Sequence, residues 1–89
     1  MAGFEQLISE VREEYQIPPF ISDAVLRQYA IESDAYFRQL KPNCNFDADA
    51  VYRLLLKARI YYAHNHVLNE FEDNYKRSIL TWQMESEAD

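Results

Sequence analysis

Two histidines, one cysteine and a pair of basic residues have the most chemistry to offer in this sequence. His64 and His66 form an H-x-H pair. On a helix that spacing turns the two rings about 200° apart, so they cannot share a metal. His66 with Glu70 and Asp73 is better spaced, but such spacing is common by chance. The plainer reading puts the histidines at a helix surface or a subunit contact, where titration near neutral pH could tune that contact. Cys44 lies in an expected turn, and a catalytic thiol there needs a base and oxyanion donors beside it. Ser22 reads as a helix cap rather than a nucleophile. The carboxylates are scattered without an acid/base pair, and no Gly-rich phosphate loop occurs. The expectation is no enzyme: no catalytic residue, no cofactor site and no metal ligand.

Arg53 and Lys57 are four apart, with Asp49 one turn earlier. They read either as an intrahelical ion pair or as a basic strip for an acidic partner, such as Glu10, Glu13 or Glu14 of a neighbouring subunit. Seven Tyr, five Phe and one Trp are many for 89 residues. Tyr61 and Tyr62 cannot both enter one core, because adjacent helical positions point about 100° apart. Trp82 falls off the face marked by Tyr75 and Ile79. Such aromatics either enrich a protein–protein interface or fill a small core with large side chains.

These residues need elements to position them, and the chief one is the stretch Asp47 to Glu72, free of Gly and Pro. Asp47, Ala48 and Asp49 offer an N-cap and an acidic first turn. Val51, Leu54, Leu55, Ala58, Tyr62 and Leu68 follow a 3.6-residue period. Tyr52, Leu56, Ile60, Ala63, Val67 and Phe71 form a second apolar row, so this helix needs cover on two sides. The core is expected where Leu55, Ala58 and Tyr62 meet Leu26, Tyr29 and Tyr36. The second row, Tyr52, Leu56, Ile60 and Val67, is then left for a neighbouring copy, with Arg53, Lys57 and Trp82 as further interface residues.

Before it, Phe4, Leu7, Ile8, Val11 and Tyr15 mark an amphipathic first helix that stops ahead of Pro18-Pro19. Ile17 and Phe20 are expected to tuck inward from the connector. Ser22 caps a second helix with a stripe of Val25, Leu26, Tyr29, Ala30, Tyr36, Phe37 and Leu40. Ser33 is a small residue on that stripe, and Pro42 enforces the stop. Phe46 is placed as a hydrophobic staple onto the third helix. Asp73-Asn74 offers a break before a shorter fourth helix with Tyr75, Ile79, Leu80 and Met84 on one face. Whether the third and fourth helices are continuous is left open. The predicted fold is all-α: one domain over 1–89, three main helices and a shorter C-terminal one, around a long central third helix. Residues 85–89 are expected to be disordered.

Composition narrows the classes. A chain of 89 residues with 48% hydrophobic content supports one modest core. A single Gly and three Pro leave few places for hairpins, which favours helices on short loops. The net charge of −6 disfavours generic binding to nucleic acid or anionic membrane. It is compatible with an acidic wall past which DNA slides. No apolar run approaches the ~20 residues of a membrane span. The first residues lack a basic n-region and an apolar h-region, so no signal peptide is expected. A lone cysteine fits a reducing cytoplasm.

Two blocks carry a family resemblance. One is Ile21-Ser22-Asp23 followed by Val25-Leu26, Tyr29, Ala30 and Ala35-Tyr36. The other is Asp49-Ala50-Val51, Leu54-Leu55, Ala58 and Tyr61-Tyr62, closing with Asn69-Glu70. In helix order, spacing and small-residue placement, roughly residues 5 to 75 resemble the head–tail connector proteins of tailed bacteriophages and prophages, also called head-completion or adaptor proteins. The chain departs from many of them in its short Lys41–Phe46 loop and its Trp82-bearing fourth helix. The resemblance implies a structural virion protein, made in the bacterial host cytoplasm and placed at the head–tail junction. It would dock beneath the portal protein and self-associate into a ring. DNA would pass through without specific binding, and the next connector or tail component would bind below. No catalysis, cofactor or membrane is implied.

Two other classes compete. A small protein of net −6 can mimic DNA phosphates and occupy a basic cleft as an inhibitor or regulator, although nine basic residues dilute the carboxylates. A DNA-binding helical domain needs a basic recognition helix. Arg53, Lys57 and Arg59 are all that the third helix offers, which ranks this reading last.

Overall fold

The computed structural model describes residues 3–87, and the chain is all-helical across them. The helices are α1 (Glu5–Tyr15), α2 (Asp23–Leu40), α3 (Ala50–His64) and α4 (Leu68–Glu87). No helix is long and apolar enough to cross a membrane among the described residues. Residues 85–87 belong to the end of α4, and residues 88 and 89, the rest of the expected disordered tail, lie outside the described residues.

Each boundary has a local cause. Gln16 ends α1 in the left-handed conformation (φ 53°), and the Ile17 N–H returns to the Arg12 carbonyl at 3.1 Å. That is a Schellman stop, set ahead of the prolines. The Ser22 hydroxyl accepts from the Val25 N–H at 3.2 Å and starts α2. Lys41 ends α2 in extended backbone, as the residue before Pro42 must. The third helix starts two residues later than its acidic cap suggested. The Asn45 side chain accepts from the Asp47 N–H at 2.9 Å, and the Asn45 carbonyl accepts from Ala48 and Asp49. Those bonds hold 45–48 in turns, so Asp49 becomes the cap and accepts from the Val51 and Tyr52 N–H groups at 3.0 and 3.1 Å.

The break between α3 and α4 lies at 65–67 and not at Asp73-Asn74, which are inside α4. His66 is left-handed (φ 60°), its N–H bonds Ala63 O, and the Val67 N–H bonds Tyr62 O, both at 3.0 Å. This is a second Schellman stop without glycine. In consequence α4, with 20 residues, is longer than α3 with 15, so the expected long third helix and short fourth are exchanged. Even so, α3 packs against all three other helices.

One hydrophobic cluster fills the interior. Phe37 of α2 is its hub, with edge-to-face contacts to Tyr52 at 5.4 Å, Trp82 at 5.7 Å and Phe71 at 6.2 Å. Tyr52 stacks on Trp82 at 5.2 Å. α1 contributes Leu7, Ile8 and Val11, all buried. The second apolar row is therefore not left for a neighbour: Tyr52, Leu56 and Ile60 are completely buried within this one chain. The first row is the incompletely covered one, with Val51 and Leu54 exposed. Leu26 and Leu55 are buried as expected, while Tyr29, Tyr36 and Tyr62 are only half-buried against the core. Val25 faces solvent, Ile17 tucks inward and Phe20 does not, being 83% exposed. Phe46 is buried against the ring of Phe4 at 5.6 Å.

Leu55→Ala is expected to cost about 2–5 kcal/mol, the usual range for a buried leucine, whereas Leu54→Ala should cost far less. Denaturant melts of the two variants check this contrast.

Candidate interaction surface

Arg53 and Lys57 project from α3 onto α1. Arg53 grips Glu10 as a fork, Nε to Oε1 at 2.9 Å and Nη2 to Oε2 at 2.7 Å. Lys57 Nζ donates to Glu10 Oε1 at 3.2 Å and to Glu14 Oε2 at 2.7 Å. Hydrogen bonds from Arg53, opposed by partial desolvation and helped by Gln6 and Lys57, hold the Glu10 carboxyl down at about 2. The expected partners, Glu10 and Glu14, are thus met in the same chain, and the pair locks α1 to α3 instead of facing outward. Arg53 reaches back towards the loop with Asp47 at 3.5 Å, not to Asp49.

Asp49 has a different task. Beyond capping α3, it accepts from the Trp82 indole N–H at 2.9 Å and lies 3.6 Å from Lys41 Nζ. The Lys41 ammonium sits 4.6 Å over the Trp82 ring. Burial raises the Asp49 pKa, but the bonds from Tyr52 N–H and Trp82 and the nearby Lys41 outweigh it and leave the carboxyl below its ordinary value. The Gln83 amide donates to the Leu40 carbonyl at 2.9 Å, filling an orphan acceptor at the end of α2. Trp82 is consequently a core residue, 2% exposed, and not an interface aromatic. The Tyr52 hydroxyl donates to Asp34, which also accepts from Arg38 Nε at 2.8 Å. Burial first, then Asp34, pushes the Tyr52 phenol far up, so it remains a donor.

The remaining candidates are dispersed. Val67 is half-buried in the α3–α4 turn, where its N–H serves the helix stop. His64 is half-buried and His66 exposed at that same turn. No three His, Cys, Asp or Glu side chains among the described residues are placed to hold a metal. Cys44 is buried and lines a cleft of about 910 Å³ with Phe4, Arg27, Arg38 and Asp47. The cleft walls mix both signs of charge, so they select neither an anion nor a cation. Tyr61 and Tyr62 divide as their spacing requires, Tyr61 stacking on Tyr15 at 4.3 Å and Tyr62 edging Phe71 at 5.6 Å.

What does face water is a different set. Phe20, Leu54, Leu80, Met84 and Ile31 are the large exposed apolar residues, with Val25 and Val51. Leu80 and Met84 share the outer face of α4 with Lys76 and Arg77, opposite Phe71, Tyr75, Ile79 and Trp82. The periodicity of α4 contained this signal. It was masked because Leu80 and Met84 were grouped with Ile79 instead of opposite it. No protein-family model matches the chain, and no curated protein or solved structure matches it either.

Acid should weaken the α1–α3 lock. In the unfolded chain Glu10 takes up its proton near its ordinary value of 4.5, in the folded chain only near 2. The stabilisation is complete above the former value and is lost as pH falls to the latter. Thermal melts between these limits should show a shallower pH slope for Glu10→Gln than for the wild type. Trp82→Phe should cost about 1–3 kcal/mol at neutral pH by removing the indole donor from a part-buried carboxylate. A loss below about 0.5 kcal/mol in denaturant melts would show that the Asp49 bond contributes little.

Proposed function

We propose that this chain is a structural adaptor at the head–tail junction of a tailed bacteriophage. It docks beneath the portal protein, forms a ring with its own copies, and receives the next connector or tail component below. DNA passes through the ring without being bound. The observation that carries the reading is how the charges are spent. Arg12, Arg27, Arg38, Lys41, Arg53 and Lys57 each lie within 4 Å of a carboxylate of the same chain. The cations are thus largely consumed in holding the helices together. Exposed Glu13, Glu32, Glu70, Glu72 and Asp73 keep the exterior negative. Such a surface repels phosphate, favouring passage over binding. The resemblance of residues in α2 and α3 to head–tail connectors supplies the setting.

The same carboxylates favour one other reading, an acidic inhibitor that fills a basic cleft of an enzyme, with Glu70, Glu72 and Asp73 at the start of α4 as the phosphate-like group. The two readings part on stoichiometry. The adaptor reading expects light scattering to show multimeric complexes with portal protein, and cross-linking to find the chain at the neck of purified virions. A protein that stays monomeric with portal and is missing from virions overturns it in favour of the inhibitor.

A further inference from the structure

We propose that copies of this chain dock head to tail, the outer face of α4 on one copy against the outer face of α2 on the next. This deepens the adaptor reading and rests on it for the setting.

Electrostatics single out the first face. In a chain of net −6, most surfaces of two copies repel each other. Six of the nine basic residues are held by their own carboxylates. Arg59 is turned inward, donating to Ser33 Oγ at 3.0 Å and lying 4.3 Å over the Tyr36 ring. Among the described residues, Lys76 and Arg77 are the exposed cations without such a partner, and they flank exposed Leu80 and Met84. From Lys76 to Met84 this face carries no carboxylate and attracts a second acidic copy, whereas exposed Glu72 and Asp73 one turn earlier repel it.

The chain carries the complement. The outer face of α2 presents Ala24, Ile31 and Ala35, all exposed, an apolar row whose two alanines leave room for Leu80 and Met84 on either side of Ile31. Beside it stands Glu32, which accepts from the Gln28 amide at 2.9 Å and has no cation within 4 Å among the described residues. With the two helices antiparallel, Met84 lies near Ala24, Leu80 near Ile31, and Lys76 and Arg77 reach Glu32. A parallel arrangement that keeps Lys76 beside Glu32 carries Met84 past the apolar row to the end of α2 near Leu40. At 1.5 Å per residue the α2 row runs about 16 Å and the α4 face from Lys76 to Met84 about 12 Å, so the shorter face fits within the longer.

The topology makes the contact heterologous. The inner faces of α2 and α4 meet at Phe37, Phe71 and Trp82, so their outer faces look away from each other. One copy therefore offers the two surfaces to two different neighbours, and the contact propagates into a ring or an open helix. One helix face against another falls short of the ~800 Å² per partner of a stable interface. The contact is accordingly weak alone, dependent on salt, and strengthened when a larger partner holds several copies together.

Sedimentation equilibrium of the full chain over a wide concentration range at low salt tests this. Lys76→Glu with Arg77→Glu should weaken self-association ~10-fold or more, and adding Glu32→Lys should restore it by exchanging the signs. Ala24→Cys with Met84→Cys should give a ladder of multiples with a short bismaleimide, since Gln83 bonds the Leu40 carbonyl, about 24 Å along α2 from Ala24. A wild type that stays monomeric without such a ladder overturns the proposal, as does association indifferent to charge reversal. Normal virion incorporation of the reversed variant with unchanged association rejects these faces and leaves the adaptor reading standing. Self-association through these faces by a protein missing from virions does the opposite.

Discussion

The carboxylate of Asp49 joins the ends of three helices. It caps α3, takes the indole N–H of Trp82 from the far end of α4, and lies beside Lys41 at the end of α2. Because Trp82 is so held, its ring lies flat on Tyr52 and edge-on to Phe37. The aromatic core is thereby fixed in angle as well as in content. A small domain has few core residues with which to define a unique packing. A polar anchor inside an aromatic cluster adds direction that apolar contacts lack. On the other side of α3, the fork from Arg53 to Glu10 does the same for α1. Two carboxylates from remote stretches of the chain thus set how α1 and α4 lie on α3.

This explains what could be read in the sequence. The first two helices were legible because their signals are local: a proline ahead, a serine cap, a stripe of one period. The boundary after α3 was not, because its stop uses a left-handed His66 where a glycine would have announced it. Gln16 does the same after α1, where the prolines nearby supplied the missing signal. A residue with a side chain accepts that conformation at about 1–2 kcal/mol. The sole glycine, at position 3, serves neither stop. With the break expected at Asp73-Asn74, the phase of α4 is lost as well: Leu80 falls on one face with Ile79, and Trp82 falls off it, the reverse of their places in the structure.

The interface residues failed for a related reason. Two apolar rows on one helix show that it needs cover on two sides, but not who provides it. Here α4 is long enough, and its aromatics large enough, to cover what an outside copy was expected to cover. Arg53 and Lys57 were read with the right partners in the wrong molecule, since sequence carries no distinction between a contact within a chain and the same contact between chains. The side chains that nothing inside the chain uses are Lys76, Arg77, Leu80 and Met84 on α4 and the exposed apolar row of α2.

The core closes on itself within one copy, which leaves association to the outer helix faces. Trp82, the sole tryptophan, reports on it directly. Acrylamide quenching of its emission should be measured from dilute, monomeric protein up to concentrations at which copies associate. Blue-shifted emission, poorly quenched and unchanged across the range, is the expected result. Ready quenching at dilution that is relieved on association would contradict it, since Trp82 would then be covered by a neighbour.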